Sequence, residues 1–267
     1  MDKHLAFLKL GGSLITDKNK PSTALPECID RIAGEIATAR EQVPGFRLLL
    51  GHGSGSFGHT PAKKYNTRAG VSTREEWSGF AEVWQKARAL NQVVTESLTS
   101  AGLPVIAISP SSTVTARKGK VLSWDISPIT SALNAGLIPV VFGDVVFDTE
   151  LGGTILSTEE IFYHLAGLLE PARILIAGIE AAIYADFPQN TIVIPEITPQ
   201  TYPTLLEKIR PSAYTDVTGG MAAKASSLVT LAEQLPGLQA WVFSGVEPGS
   251  IFQALVNLPL TGTLIHN

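Results

Sequence analysis

The sequence predicts an α/β sandwich with a mainly parallel central sheet. Short apolar runs alternate with helix-like segments along the chain. Several of those runs are apolar at consecutive positions, the pattern of strands covered on both faces. Glycine-rich loops follow the strand ends, and in open α/β sheets ligands bind beyond those ends.

The elements follow in chain order. Leu5 to Leu10 is the first strand and runs into Lys9-Leu10-Gly11-Gly12-Ser13. A helix is expected near 27–43. Leu48 to Leu50 is a second strand, leading into Gly51-His52-Gly53-Ser54-Gly55-Ser56-Phe57-Gly58-His59. A helix near 75–101 carries Trp77, Phe80, Val83, Trp84 and Ala87 at helical spacing, either as core or as the wall of an apolar substrate pocket. Val105 to Ile108 and Ile138 to Phe142 are strands, and Gly143-Asp144 follows the second. Ser157-Thr158-Glu159-Glu160 has the form of a helix N-cap with an acidic first turn, opening a helix near 158–169. Ile174 to Ala177 and Trp241 to Phe243 are further strands. Helices near 221–235 and 248–256 complete the pattern, the former with Met221, Ala225, Leu228, Leu231, Ala232 and Leu235 on one stripe. The stretch 185–218 is broken by Pro188, Pro195, Pro199, Pro203 and Pro211. Short strands and one short helix, Leu205 to Ile209, are expected there, as a lid or as a surface excursion.

Composition narrows the function. With 267 residues, 45% of them hydrophobic, the chain can bury a substantial core. Twenty-four acidic against 20 basic residues give a net charge of −4. That balance disfavours nonspecific nucleic-acid binding, so any bound anion must be met by local positive charge. Cys28 is the only cysteine, which excludes an internal disulfide and a thiolate zinc site. No apolar stretch approaches the roughly 20 residues of a membrane span. A cytoplasmic protein with neither nucleic-acid nor membrane partners is expected.

The chemistry lies in the glycine loops and the lysines near each end. Glycine lets backbone N–H groups approach an anion, and lysine adds a mobile charge. Thr218-Gly219-Gly220-Met221 with Lys224 is a third such feature, so the chain is built for several phosphates. Gly53 to Gly58 formally matches G-x-G-x-x-G. However, Pro61 follows closely, and no acidic residue ends a next strand at the dinucleotide spacing. No G-x-x-x-x-G-K-[ST] occurs. Lys9 at a strand end is costly to bury unless it meets an anion. Lys18, in a polar loop, is unremarkable alone. His59 directly follows a glycine loop, where an imidazole can donate to a phosphate oxygen. Asp144, Asp148, Glu159 and Glu160 are the acidic residues of the middle. The N-cap explains Glu159 and Glu160, although a carboxylate there could orient two lysines or attract Mg²⁺.

Lys9 to Lys18, Gly55 to His59, Gly143 to Val146, Ile155 to Ser157, Asp216 to Met221 with Lys224, and Gly262-Thr263 together resemble the amino acid kinase superfamily, and within it the isopentenyl phosphate kinases. The resemblance runs over nearly the whole chain. It implies a three-layer αβα sandwich, usually a homodimer, and transfer of the γ-phosphoryl group of ATP to a small phosphate monoester with Mg²⁺. One domain would span 1–267, binding the acceptor in about 1–170 and the nucleotide in about 171–267. By motif, Lys9, Leu10, Gly11, Gly12 and Ser13 would hold the ATP phosphates, joined by Gly55, Gly220 and Lys224. Ser54 and Gly55 would present N–H groups between acceptor and nucleotide. His59, Ser54 and Thr158 would bind the acceptor. Lys18 would stabilise the transferring phosphoryl group, and Glu159 would bridge Lys9 and Lys224. No metal ligand is assigned.

The chain departs from the family pattern at three places. Ser54 stands where a third glycine is common. Thr158-Glu159-Glu160 replaces a glycine and two aspartates. Gly178-Ile179-Glu180-Ala181-Ala182-Ile183-Tyr184 replaces an Asp-x-Asp-Gly type sequence, which bears on the nucleotide. A kinase for another phosphate or phosphonate such as fosfomycin, and a catalytically silent nucleotide-binding protein of the same fold, are the competing readings.

Overall fold

β1 (Asp2–Leu10) sets the layers. Leu5 and Phe7 face one core, and Ala6, Leu8 and Leu10 face the other. This is the period-2 alternation of a strand buried on both sides. The computed structural model describes residues 2–206, 209 and 220–267. After β1 come α1 (Gly12–Ile15), α2 (Pro26–Gln42), β2 (Arg47–His52), α3 (Gly55–Tyr65), a 3₁₀ turn (Thr67–Ala69) and α4 (Arg74–Ser100). β3 (Val105–Ala107), α5 (Pro110–Thr113), β4 (Val114–Arg117), β5 (Lys120–Trp124) and α6 (Ser127–Asn134) follow. Then come β6 (Ile138–Phe142), β7 (Asp144–Asp148), β8 (Gly152–Leu156), α7 (Thr158–Leu169) and β9 (Pro171–Gly178). The remainder holds β10 (Ile183–Tyr184), β11 (Val193–Ile194), β12 (Glu196–Ile197), α8 (Tyr202–Leu206), α9 (Gly220–Gln234), β13 (Gln239–Ser244), α10 (Ser250–Leu255) and β14 (Gly262–Ile265).

The main sheet has eight strands in the order β12-β14-β13-β9-β1-β2-β6-β3. Every pairing is parallel except β13 with β14. α2, α4 and α10 pack on one face through Ile29, Ile32, Ile36, Leu90, Val94 and Ile251. α7 and α9 cover the other through Ile161, Phe162, Leu165, Ala225 and Leu231. The expected three-layer αβα sandwich is therefore present. No helix among the described residues is long and apolar enough to cross a membrane.

Several elements differ from expectation. A second sheet, ordered β5-β4-β7-β8, stands apart from the first. Gly143-Asp144, expected as a loop after β6, instead leads directly into β7. α3 was not expected because Pro61 lies within it. The short helix expected over Leu205 to Ile209 begins earlier, at Tyr202. Asp216 to Gly219, and most of the expected lid after Leu206, lie outside the described residues.

The chain's own carboxylates close most of its turns. Glu76 accepts the Ser72 and Thr73 N–H groups ahead of α4. Asp148 accepts those of Lys118, Gly119, Glu150 and Leu151. Glu160 accepts that of Ser157, completing a capping box on α7. Asp186 accepts those of Thr191 and Ile192. Glu35 on α2 accepts those of Gly249, Ile251 and Phe252 at the start of α10.

Candidate active site

Parallel pairing brings three strand ends together. Lys9 on β1 lies in register with Gly51 on β2 and Ile176 on β9. The loops that follow touch. Gly11 N–H donates to Ala177 O at 2.8 Å, and Gly53 N–H donates to Leu10 O at 3.0 Å. A Cβ on Gly12 would lie 2.4 Å from the Gly55 nitrogen, so only glycine permits this contact. Gly55 has φ +48°, and a Cβ there would meet Thr16 Oγ1 at 2.2 Å. The first and second glycine loops therefore interlock. The N–H groups of Gly12, Ser13, Ser54 and Gly55 have no acceptor among the described residues. Four such donors gather at the starts of α1 and α3, an arrangement of the kind that suits an anion.

The charges converge beside it. Lys9 is buried, and its Nζ donates to Glu159 Oε1. Lys224 Nζ, from the first turns of α9, is 3.7 Å from the same oxygen. Burial alone would push the Glu159 carboxyl up, but the Lys9 and Lys224 charges outweigh it and hold it below its ordinary value. Glu159 thus joins the first strand to α9. Its neighbour Glu160 is taken by Arg68 at 2.7 Å and by the α7 cap.

The remaining expected residues are placed as follows. Leu10 is buried, with Ser13 half-buried on α1. Lys18 is exposed on the turn after α1. That turn is pinned to the second loop, because Ser22 N–H donates to Ser56 O and Ser56 N–H donates to Thr16 Oγ1. Ser54 caps α3 without a side-chain hydrogen bond to it. His59 is exposed one turn into α3 and lines a depression of about 550 Å³ with Thr60, Lys63 and Lys64. Gly220 opens α9. Thr158, expected on the acceptor, is buried and donates its hydroxyl to His52 O at 2.6 Å. Its hydroxyl proton therefore ties α7 to the second glycine loop.

Asp144 and Asp148 do not face the lysine pair through their carboxylates. Asp144 is buried and accepts from the N–H groups of Ser111 and Val145. Burial pushes its carboxyl up to about 6 against those hydrogen bonds. Asp148 caps turns. The departing segment after β9 is ordered by its own contacts. Glu180 accepts from Asn190 Nδ2 at 3.2 Å, and Thr263 Oγ1 accepts from Ile183 N–H while donating to Ile194 O.

No group of three or more His, Cys, Asp or Glu residues among those described is placed to hold a metal. The nearby carboxylates are already engaged by lysines, Arg68 or backbone donors. The aromatic stripe on α4 is mixed. Phe80 and Val83 are buried with Val71 and Val145, and Ala62 of α3 packs on them. Trp77 is half-open and meets Phe80 at 5.2 Å and Phe147 at 6.0 Å. The sequence reading missed His52 and Asn91, a buried pair behind the second loop.

The profile of the amino acid kinase family matches residues 5–244. The isopentenyl phosphate kinase of Methanothermobacter thermautotrophicus is 32% identical over 268 residues, covering 98% of each chain. That of Methanocaldococcus jannaschii is 32% identical over 262 residues, covering 94% of this chain and 95% of its own. Among solved structures, an isopentenyl phosphate kinase superposes with a TM-score of 0.83 at 30% identity, covering 98% of this chain and all of its own.

Proposed function

This chain belongs to the amino acid kinase family, and from that premise we propose that it is an isopentenyl phosphate kinase, transferring the γ-phosphoryl group of ATP to isopentenyl phosphate to give the diphosphate. The observation that carries the reading is the meeting of Lys9, Lys224 and Glu159 beside two interlocked glycine loops with open N–H groups. The relatives named above supply the acceptor.

Two anions must be brought together, so their repulsion has to be neutralised before an oxygen can attack phosphorus. The transferring group concentrates negative charge on its equatorial oxygens. Lys9 and Lys224 meet that charge from one side, and the N–H groups of Gly12, Ser13, Ser54 and Gly55 meet it from the loops. Glu159 holds both ammonium groups in place. Lys18 closes over the transferring group from its pinned turn, and His59 with Ser54 binds the acceptor phosphate. Residues up to about 170 serve the acceptor and those beyond serve the nucleotide. A phosphate monoester near neutral pH is largely dianionic, so no strong general base is needed. Mg²⁺, when bound with ATP, would offset the charge of its phosphates, and no protein carboxylate is assigned to it.

We read the enzyme as a cytoplasmic homodimer. The exposed sheet-edge strand β3, with Ile106 open to solvent, supports the dimer, and the single cysteine supports a reducing compartment. The test is ADP release from Mg-ATP with isopentenyl phosphate, dimethylallyl phosphate, fosfomycin or no acceptor. Turnover confined to the prenyl phosphates is expected. Turnover with fosfomycin alone, or with none of them in folded protein, overturns the reading.

A further inference from the structure

The second glycine loop takes its direction from a residue that precedes it. His52 ends β2 with its ring fully buried, stacked on Phe142 at 5.5 Å and 9°. Its Nδ1 lies 3.1 Å from the Gly53 carbonyl oxygen, and its Nε2 lies 3.1 Å from Oδ1 of Asn91 on α4. Its own carbonyl accepts from Thr158 Oγ1 at 2.6 Å and from Gly143 N–H at 3.2 Å. One residue thus ties together α4, the second loop, the β6–β7 junction and the helix that carries Glu159.

The ring's protonation is set by its neighbours. Burial lowers the pKa of His52 against the raising effect of its two hydrogen bonds, so the imidazole is neutral and carries one N–H. The Gly53 carbonyl can only accept. The Asn91 amide can present either its oxygen or its nitrogen. With Oδ1 facing an Nε2–H, the Nδ1 lone pair would oppose the Gly53 oxygen; the arrangement with no lone pair facing another turns the Asn91 amide over, so that Nδ1–H donates to Gly53 O and the amide nitrogen donates to Nε2.

We propose that His52 is a positioning residue that locks the Gly53–Ser54 peptide with its carbonyl toward the interior and so aims the Ser54 N–H away from the core, toward an anion. The carbonyl and N–H of a trans peptide point in opposite directions. A glycine at position 53 leaves that peptide otherwise free to turn over. The Gly53 N–H is fixed to Leu10 O, and the Ser54 N–H has no acceptor among the described residues. The lock rests on the reading of this loop as a phosphate cradle.

Two substitutions separate the ring nitrogens. His52→Asn places an amide nitrogen near the position of Nδ1, and His52→Gln places one near Nε2. With isopentenyl phosphate, H52N keeps kcat/KM within about threefold of the parent. H52Q lowers it roughly 10- to 100-fold, mostly in kcat, as expected for one lost donor to a charged oxygen. Equal losses in both variants, or losses that follow thermal midpoint alone, overturn the proposal. A second measurement needs neither variants nor turnover. Long-range ¹H–¹⁵N correlation on histidine-labelled parent protein reads the tautomer directly. The Nδ1–H form is expected, and an Nε2–H or doubly protonated ring overturns the lock. If the parent protein does not turn over isopentenyl phosphate, the functional reading fails and the tautomer still decides the lock.

Discussion

Asp144→Asn should gain stability relative to the parent as pH rises from mild acid to neutral. Asp144 is 1% exposed, and its carboxyl is pushed from 3.8 to about 6, first by burial, against hydrogen bonds from Ser111 and Val145. An acid whose folded pKa lies above its unfolded value binds more protons folded than unfolded between the two. Stability therefore falls as pH rises through that window. At about 1.4 kcal/mol per pKa unit, the full penalty near neutral pH is roughly 3 kcal/mol. Between about pH 4.5 and about pH 7.5 the penalty grows by roughly 2 kcal/mol. Ser111 N–H donates to Oδ2 and Val145 N–H to Oδ1, so asparagine keeps an oxygen for one and sets its amide nitrogen against the other, a cost that does not vary with pH. Urea unfolding of both proteins across that range measures the difference, in which most other titrating groups cancel. A gap between variant and parent that stays constant with pH would refute the reasoning.

Other substitutions test the site and its scaffold. Glu159→Gln leaves buried Lys9 without its carboxylate and should destabilise by roughly 3 kcal/mol while lowering kcat at least about tenfold. Unfolding curves and initial rates that match the parent would remove Glu159 from the site. Gly55→Ala forces a Cβ to 2.2 Å from Thr16 Oγ1 at φ +48°. A destabilisation of about 1–3 kcal/mol with a large fall in turnover is expected, and an active, equally stable variant would mean the loops do not interlock. His266→Gln removes a hydrogen bond to Glu196 at 2.5 Å that, with the Asn267 carbonyl, raises the histidine pKa above 6.5. The stabilisation it gives is complete below that unfolded value and lost as pH rises through the folded one. The parent should therefore exceed the variant in melting temperature in mild acid and converge with it in base.

The layers of the main sheet were legible because β1, β2, β6 and β9 are buried on both faces and show as apolar runs. α4 was legible from the helical spacing of Trp77, Phe80, Val83, Trp84 and Ala87, and α7 because Ser157 caps it with a reciprocal glutamate. The second sheet was not, since β4 and β5 are short and half-exposed and β7 starts and ends on aspartate. The Lys118-Gly119 turn, with φ +51° and +73°, was its one readable sign. α3 was hidden by Pro61, which local preference reads as a break. In the site, the glycine loops and the lysines announced themselves by type and spacing. The contact of both lysines with one Glu159 oxygen joins Lys9, 150 positions before it, and Lys224, 65 positions after it, which no local pattern encodes. His52 and Asn91 were missed because a buried polar pair has the sequence appearance of any strand end and helix interior.

The acidic caps bear on how a dianion finds its place. A fold with so many helix starts and tight turns offers many clusters of backbone donors, each a decoy for phosphate. Glu35, Glu76, Asp148, Glu160 and Asp186 already occupy five of them. The donors of Gly12, Ser13, Ser54 and Gly55 have no acceptor among the described residues. Under the proposed function the negative charge of this chain would then be part of its selectivity: a phosphate exploring the surface would meet occupied donors at those five places and open ones beside Lys9 and Lys224.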